Sequence, residues 1–222
     1  DLASVGKRYL NKSHFITPQD FTAHYEPRPV DDIIHEDTDP NYRVLDISVN
    51  TFNDAIQSYH HKSIGGYSPV KLQRYQDLIE RYITGEIRQI YGAVENVETV
   101  QELSEALPEL KVVSMLNGKY IILGAEFSPV VNSHAYGNAW FVDSYVAAAT
   151  PDEEIALLAA TDLHTTAVIG NDFAWAQEAV SNSSDSASYS EPACHSELEE
   201  KSPQIRLTHY SPKELRYEFR TD

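Results

Sequence analysis

Basic residues are scarce in this chain. Lys and Arg together number 17 against 34 Asp and Glu, for a formal net charge of −17. Phosphate backbones are gripped by clustered cations, so nucleic acid is excluded as a partner. The whole-chain charge is likewise repelled by an anionic lipid surface. Cysteine is almost missing: Cys194 stands alone, and no intramolecular disulfide can form. That suits the cytosol, and equally an exported bacterial domain that does without disulfides. Long apolar runs are absent; a membrane helix needs about 18 or more consecutive apolar residues, and no such run occurs. The opening Asp1-Leu2-Ala3-Ser4 has neither the basic nor the apolar region of a signal peptide.

What is present is enough to fold. Of the 222 residues 41% are hydrophobic, and Tyr is abundant at 14. A chain of this length buries a sizeable core. Residues 1–42 form a polar, irregular lead-in broken by Pro18, Pro27, Pro29 and Pro40, with a short helical turn at Asp31-Asp32-Ile33-Ile34. It is expected to lie over the core.

Residues 43–180 read as one mixed domain. Arg43–Val49 is the first strand, bounded by turn residues. A helix is expected over 69–84, with Ser68 as N-cap, Pro69 in its first turn and Gly85 as its stop. Tyr75, Leu78, Ile79, Tyr82 and Ile83 give it one apolar stripe. Capping boxes at Thr99/Glu102 and Thr150/Glu153 open two more helices. Lys119–Leu123, Ala139–Val142 and Ala167–Ile169 are expected strands, the first two entered at Asn117-Gly118 and Gly137-Asn138. Helices interleaved with strands imply a mixed α/β (α+β) fold with a central mixed sheet and flanking helices. Residues 181–203 are Ser-rich, then acidic, and read as a linker or long surface loop. Residues 204–222 alternate in period two around Ser211-Pro212-Lys213, which predicts a β-hairpin. Two strands are marginal alone, so the hairpin joins the main sheet or begins a further β region.

Few constellations point to chemistry. His35-Glu36-Asp37-Thr38-Asp39 offers metal-type ligands but lacks the glycine and distal Glu of a calcium loop, and reads as an exposed acidic loop. His60 and His61 are adjacent, so their rings should diverge rather than chelate. No nucleophile elbow, P-loop or dinucleotide fingerprint occurs. Cys194 lies in the polar linker, far from any base. No metal, cofactor or catalytic residue is expected here. Ser63-Ile64-Gly65-Gly66-Tyr67 precedes the expected helix and supports two readings. Its backbone N–H groups cradle an anion such as phosphate, or the glycines make a tight turn that packs Tyr67 on the core. Tyr67, Tyr75, Tyr82, Trp140 and Phe141 are either a sugar-stacking platform or core.

Several segments resemble the YfhO family of bacterial membrane proteins. They are Lys7–Asn11; Asn50-Thr51-Phe52-Asn53-Asp54-Ala55 followed by Tyr59–Tyr67 and Lys71–Ile79; Met115–Asn117 with Lys119–Ile122; Gly137–Val142; and Leu207–Pro212 with Glu214-Leu215. The resemblance implies a polytopic protein with a large part outside the cytoplasmic membrane. It is similar to the GT-C glycosyltransferases, which move a sugar from a polyprenyl-phosphate donor to a cell-envelope acceptor. The expectation is therefore an extracytoplasmic piece of a larger protein, on the outer face of the membrane, whose catalytic acid lies elsewhere. Its partners would be the membrane-embedded part of the same polypeptide and a lipid-linked sugar or envelope glycopolymer. The alternative is a non-catalytic module that binds an envelope polymer or a partner subunit. The Ser-rich 181–203 departs from the family, and the β region is expected to be cut short. In this frame Ser63, Gly65, Gly66, Tyr67, Lys71 and Arg74 become candidate binding residues, with Lys71 and Arg74 opposing the overall charge. Against that stands a plain pairing of Arg74 with a surface carboxylate.

Overall fold

The computed structural model describes residues 3–10, 14–23, 25–173 and 204–220. The linker 181–203, and Cys194 with it, lies outside the described residues. The fold is mixed α+β, with several small sheets, as the alternation of elements predicts.

The central sheet has three strands. β1 (Arg43–Asp46) runs parallel to β2 (Gly118–Ile122), which pairs antiparallel with β3 (Val130–Val131). Period two decides what each face buries. Val44 and Ile122 meet Val30 and Ile34 of α3 (Pro29–His35), with Tyr42 and Tyr120 beside them. Leu45 and Ile121 point the other way, into the larger core. Within residues 1–42, α3 covers this face of the sheet through Val30 and Ile34. Two earlier helices, α1 (Ala3–Tyr9) and α2 (Pro18–Ala23), replace the irregular chain read there.

The crossover from β1 to β2 supplies the helices on the second face. α4 (Gln73–Leu78), a π turn (Ile79–Ile83) and α5 (Thr84–Val94) run as one continuous rod. The expected helix over 69–84 is corrected at both ends. Its start slips to Gln73 because Leu72 is still extended and Ser68 instead accepts the Val70 N–H at 3.3 Å, closing a local turn. Gly85 does not stop it. Ile83, Glu86 and Ile90 continue the buried stripe past the glycine, and packing outweighs the roughly 1 kcal/mol that a helical glycine costs. At the end of the π turn the Ile79 carbonyl accepts both the Thr84 N–H and, at 2.8 Å, the Thr84 hydroxyl.

α6 (Val100–Ala106) starts where predicted, with Thr99 Oγ1 accepting the Glu102 N–H. α7 (Lys111–Met115) has no such cap of its own. Glu86 reaches across from α5 instead, and its carboxylate accepts the Val112 and Val113 N–H groups at 2.7 and 2.9 Å. Burial pushes the Glu86 carboxyl up, against the pull of those two donors and Lys111.

A second unit follows. β4 (Ser144–Ala148), α8 (Pro151–Ala160) and β5 (Thr166–Gly170) form a parallel β-α-β pair. α8 is capped by Thr150 as predicted, and the Lys111 ammonium accepts nothing but donates to Ala159 and Thr161 carbonyls at its far end. The strand expected at Ala139–Val142 is not one. Those residues lie outside any ladder because Trp140 is anchored sideways, its Nε1–H donating to the Leu163 carbonyl at 3.0 Å. The ladder begins at Ser144.

β6 (Gln204–Ser211) and β7 (Glu214–Arg220) form the predicted hairpin. Among the described residues it joins neither other sheet. It rests on the body through buried Leu207 and through Tyr210, whose ring lies 3.3 Å from the Lys62 ammonium.

Glu86→Ala would leave two buried N–H groups without acceptors. The expected cost is about 1–3 kcal/mol, read as a lower urea midpoint with an unchanged slope.

Candidate functional site

The predicted segment Ser63–Arg74 is placed as follows. Lys62–Ile64 runs along the free edge of β1, with Val44 N–H bonded to the Lys62 carbonyl and Ile64 N–H to the Val44 carbonyl, both at 2.9 Å. Gly65 N–H goes to Ser63 Oγ at 2.9 Å and Gly66 N–H to the Thr51 carbonyl at 2.7 Å. These donors are used inside the protein, and the helix begins seven residues after Gly66, so the anion cradle is not formed. The glycines answer a close approach instead. A Cβ at Gly65 would sit 2.0 Å from the Thr51 carbonyl oxygen, and Gly66 has φ of +117°, where L side chains are strained. Tyr67 does not pack on the core either; it is exposed. Arg74 pairs with Asp172 at 3.1 Å and approaches Glu154 at 3.9 Å, the plain surface pairing. Lys71 lies before the helix, its ammonium 5.5 Å from the Phe52 ring centre.

Behind this segment sits a buried ionic cluster that the sequence did not reveal. Arg28 Nε and Nη2 donate to the two Asp31 oxygens at 2.9 and 3.0 Å, and Nη2 also lies 2.9 Å from Asp46 Oδ2 without the alignment of a hydrogen bond. Both carboxylates are fully buried. Burial opposes the Asp31 charge, but Arg28 and His61 outweigh it and hold the carboxyl at about 2. His61 Nε2 is 3.0 Å from Asp31 Oδ1. Burial lowers the His61 pKa in spite of that contact, so the ring is neutral at pH 7. A neutral ring facing a carboxylate donates from Nε2, which leaves Nδ1 as a buried acceptor without a partner. The His35 and His60 rings are nearby, the former 4.9 Å from His61. Among the described residues no group of three or more His, Cys, Asp or Glu side chains is arranged to hold a metal. The acidic loop proves less exposed than expected: Asp37 and Asp39 take the Lys119 ammonium at 2.6 and 3.3 Å, and Tyr120 donates to Asp37 at 2.8 Å.

The larger opening lies where the hairpin meets the body. Two adjoining hollows of about 320 and 460 Å³ share Tyr136, Ala139, Ile205 and Arg206. That is the size range of small-molecule sites. One end is polar, with Asp37, Asp39, Lys119 and Asn138. The other is aromatic, with Trp140, Phe141 and His164 around Asp143. Tyr136 forms the floor, edge-on to Trp140 at 5.0 Å and to His164 at 5.1 Å between ring centres. Of the five aromatics considered from sequence, Trp140 and Phe141 line this cleft, Tyr75 and Tyr82 pack against the core, and Tyr67 is elsewhere on the surface. Tyr136, His164 and Arg206 were missed. Each comes from a different element, so no local spacing links them.

No family model, curated protein or solved structure matches the chain.

Gly65→Ala should destabilise the fold by about 1–3 kcal/mol, seen as a drop in thermal midpoint; an anion-binding loop free to relax would show less. The His61 pKa is depressed in the folded state, so the unfolded chain takes up a proton first as pH falls below 6.5. Stability should therefore fall on acidification from there, and His61→Gln should flatten that part of the curve. Asp31 acts lower: its contribution is full above 3.8 and is lost as pH falls through about 2.

Proposed function

We propose that this chain is an extracytoplasmic part of a polytopic bacterial membrane protein and assists transfer of a sugar from a polyprenyl-phosphate donor to a cell-envelope acceptor. The likeness of its segments to the YfhO family supports the reading. The observation that carries it is the cleft between body and hairpin. Sugars present apolar C–H faces beside hydroxyl edges. Trp140 and Phe141 offer stacking faces, while Asp143, His164 and Arg206 offer donors and acceptors within the same hollow. The role is to hold the acceptor or product chain, with bond-making chemistry supplied by the membrane-embedded part of the polypeptide.

The same cleft serves the second reading, a module that binds envelope glycopolymer without assisting transfer. Phe141 is half exposed and can be removed without opening the core. Phe141→Ala should weaken retention of the chain on purified envelope glycopolymer by about 3- to 10-fold. In the full-length parent the same change should lower transfer if the domain assists it, and leave transfer unchanged if the domain only binds. Protease added to intact spheroplasts should remove the domain from the membrane fraction. A freely diffusing protein of about the chain's own mass, 25.0 kDa, would sink the proposal.

A further inference from the structure

We propose that the outer edge of the hairpin docks a second copy of this chain, with β7 lying antiparallel to the other β7 across a two-fold axis at Tyr217. The inference goes beyond the cleft and does not rest on it. β6 and β7 pair Ile205 with Phe219, Leu207 with Tyr217 and Tyr210 with Leu215, so these side chains share one face of the hairpin. The body covers that face at Leu207 on β6, which is buried, whereas Leu215, Tyr217 and Phe219 on β7 are 51%, 37% and 65% exposed. Every residue of β7 is exposed, and among the described residues β7 pairs with β6 alone. An edge kept from pairing commonly carries a bulge, a proline or a run of like charge. β7 has none of these, because the register shift between Leu207 and His209 lies on β6.

The chemistry of β7 fits another β7. The two-residue connection closes the hairpin on Ser211 and Glu214, a hydrogen-bonded pair, so the alternation turns the N–H and C=O groups of Leu215, Tyr217 and Phe219 toward the free edge. The other face of the strand reads Glu214, Arg216, Glu218, Arg220, neutral in sum within a chain of net charge −17. When Tyr217 opposes its own copy, Arg216 lies against the partner's Glu218, and Glu214 against the partner's Arg220. The two-fold axis repeats each pair, and Leu215 meets the partner's Phe219. The adjacent centres fail. Centred on Arg216, Glu214 opposes the partner's Glu218; centred on Glu218, Arg216 opposes the partner's Arg220. In the register at Tyr217 the pairs of Arg216 with Glu218 are the non-hydrogen-bonded ones, where side chains approach most closely. Within one copy Arg216 Nε donates to Glu214 Oε1 at 2.8 Å, which keeps the guanidinium on this face. The contact is self-complementary and closes at two copies. It makes one sheet of four strands from two hairpins that are marginal alone.

The test follows the mass of the full chain by sedimentation equilibrium. The expected result is a reversible dimer of twice 25.0 kDa. Arg216→Glu sets acid against the partner's Glu218, and Glu218→Arg sets cation against the partner's Arg216. Each should raise the dissociation constant by about tenfold or more, with circular dichroism unaltered. An equimolar mixture of the two variants should restore the dimer, because each supplies the charge the other lacks; a hairpin that had merely unfolded would not recover. In a Cys194→Ser background Tyr217→Cys should cross-link to its own copy under mild oxidation, whereas Leu215→Cys should do so only when mixed with Phe219→Cys. A monomer up to millimolar concentration, a dimer indifferent to both charge variants, variants that stay apart on mixing, or Tyr217→Cys linking no faster than Leu215→Cys alone would each overturn the inference. None of these outcomes reads sugar transfer or glycopolymer binding, so they stand or fall apart from the cleft.

Discussion

The Arg28 guanidinium between two buried carboxylates organises the body of this protein. Asp31 belongs to α3 and Asp46 ends β1, so one cation ties the covering helix to the central sheet. Two like charges buried close together would repel strongly, and neither is tolerable without its partner. The arrangement is therefore a condition of the packing of Val30 and Ile34 onto Val44 and Ile122, not a decoration of it. His61 completes the cluster from a third direction and fixes the strand-like run at Lys62–Ile64 beside β1. That run in turn sets where Gly65, Gly66 and the loop beyond them emerge.

Much of the fold was legible because local signals agreed with the tertiary outcome. Thr99 and Thr150 cap helices by side-chain chemistry alone, and Asn117-Gly118 turns the chain where Asn117 takes φ of 59°. The hairpin is specified by alternation and by Ser211-Pro212-Lys213. What failed to show were features decided at a distance. The cap of α7 comes from Glu86, many residues earlier. The strandlike run Ala139–Val142 is diverted by one hydrogen bond from Trp140 to Leu163. The helix passes through Gly85 because residues on both sides of it are buried.

The candidate site divides in the same way. Ser63–Tyr67 supports an anion cradle as well as a tight turn from sequence, because glycines before a helix can present free N–H groups. Here the preceding strand edge and Thr51 take those groups first, so the pattern is satisfied by the fold itself. The cleft gathers Tyr136, Trp140, His164 and Arg206 from the turn after β3, the run before β4, the turn before β5 and strand β6. Only Trp140 and Phe141 announced themselves, by being aromatic.

One wall of the cleft belongs to β6, and β6 is held to the body chiefly by Leu207 and by the contact of Tyr210 with Lys62. A cation against a tyrosine face contributes on the order of 0.5–1 kcal/mol at an exposed site. A ligand slightly too wide for the cleft can offset that much with a single good contact of its own. Under the proposed role, the cleft would therefore discriminate weakly by girth and more sharply by the chemistry of its floor, where Trp140 is tied to the Leu163 carbonyl and Tyr136 stacks edge-on to it. In that role, envelope chains that share a repeating unit but differ in side substituents would be expected to fit such a site.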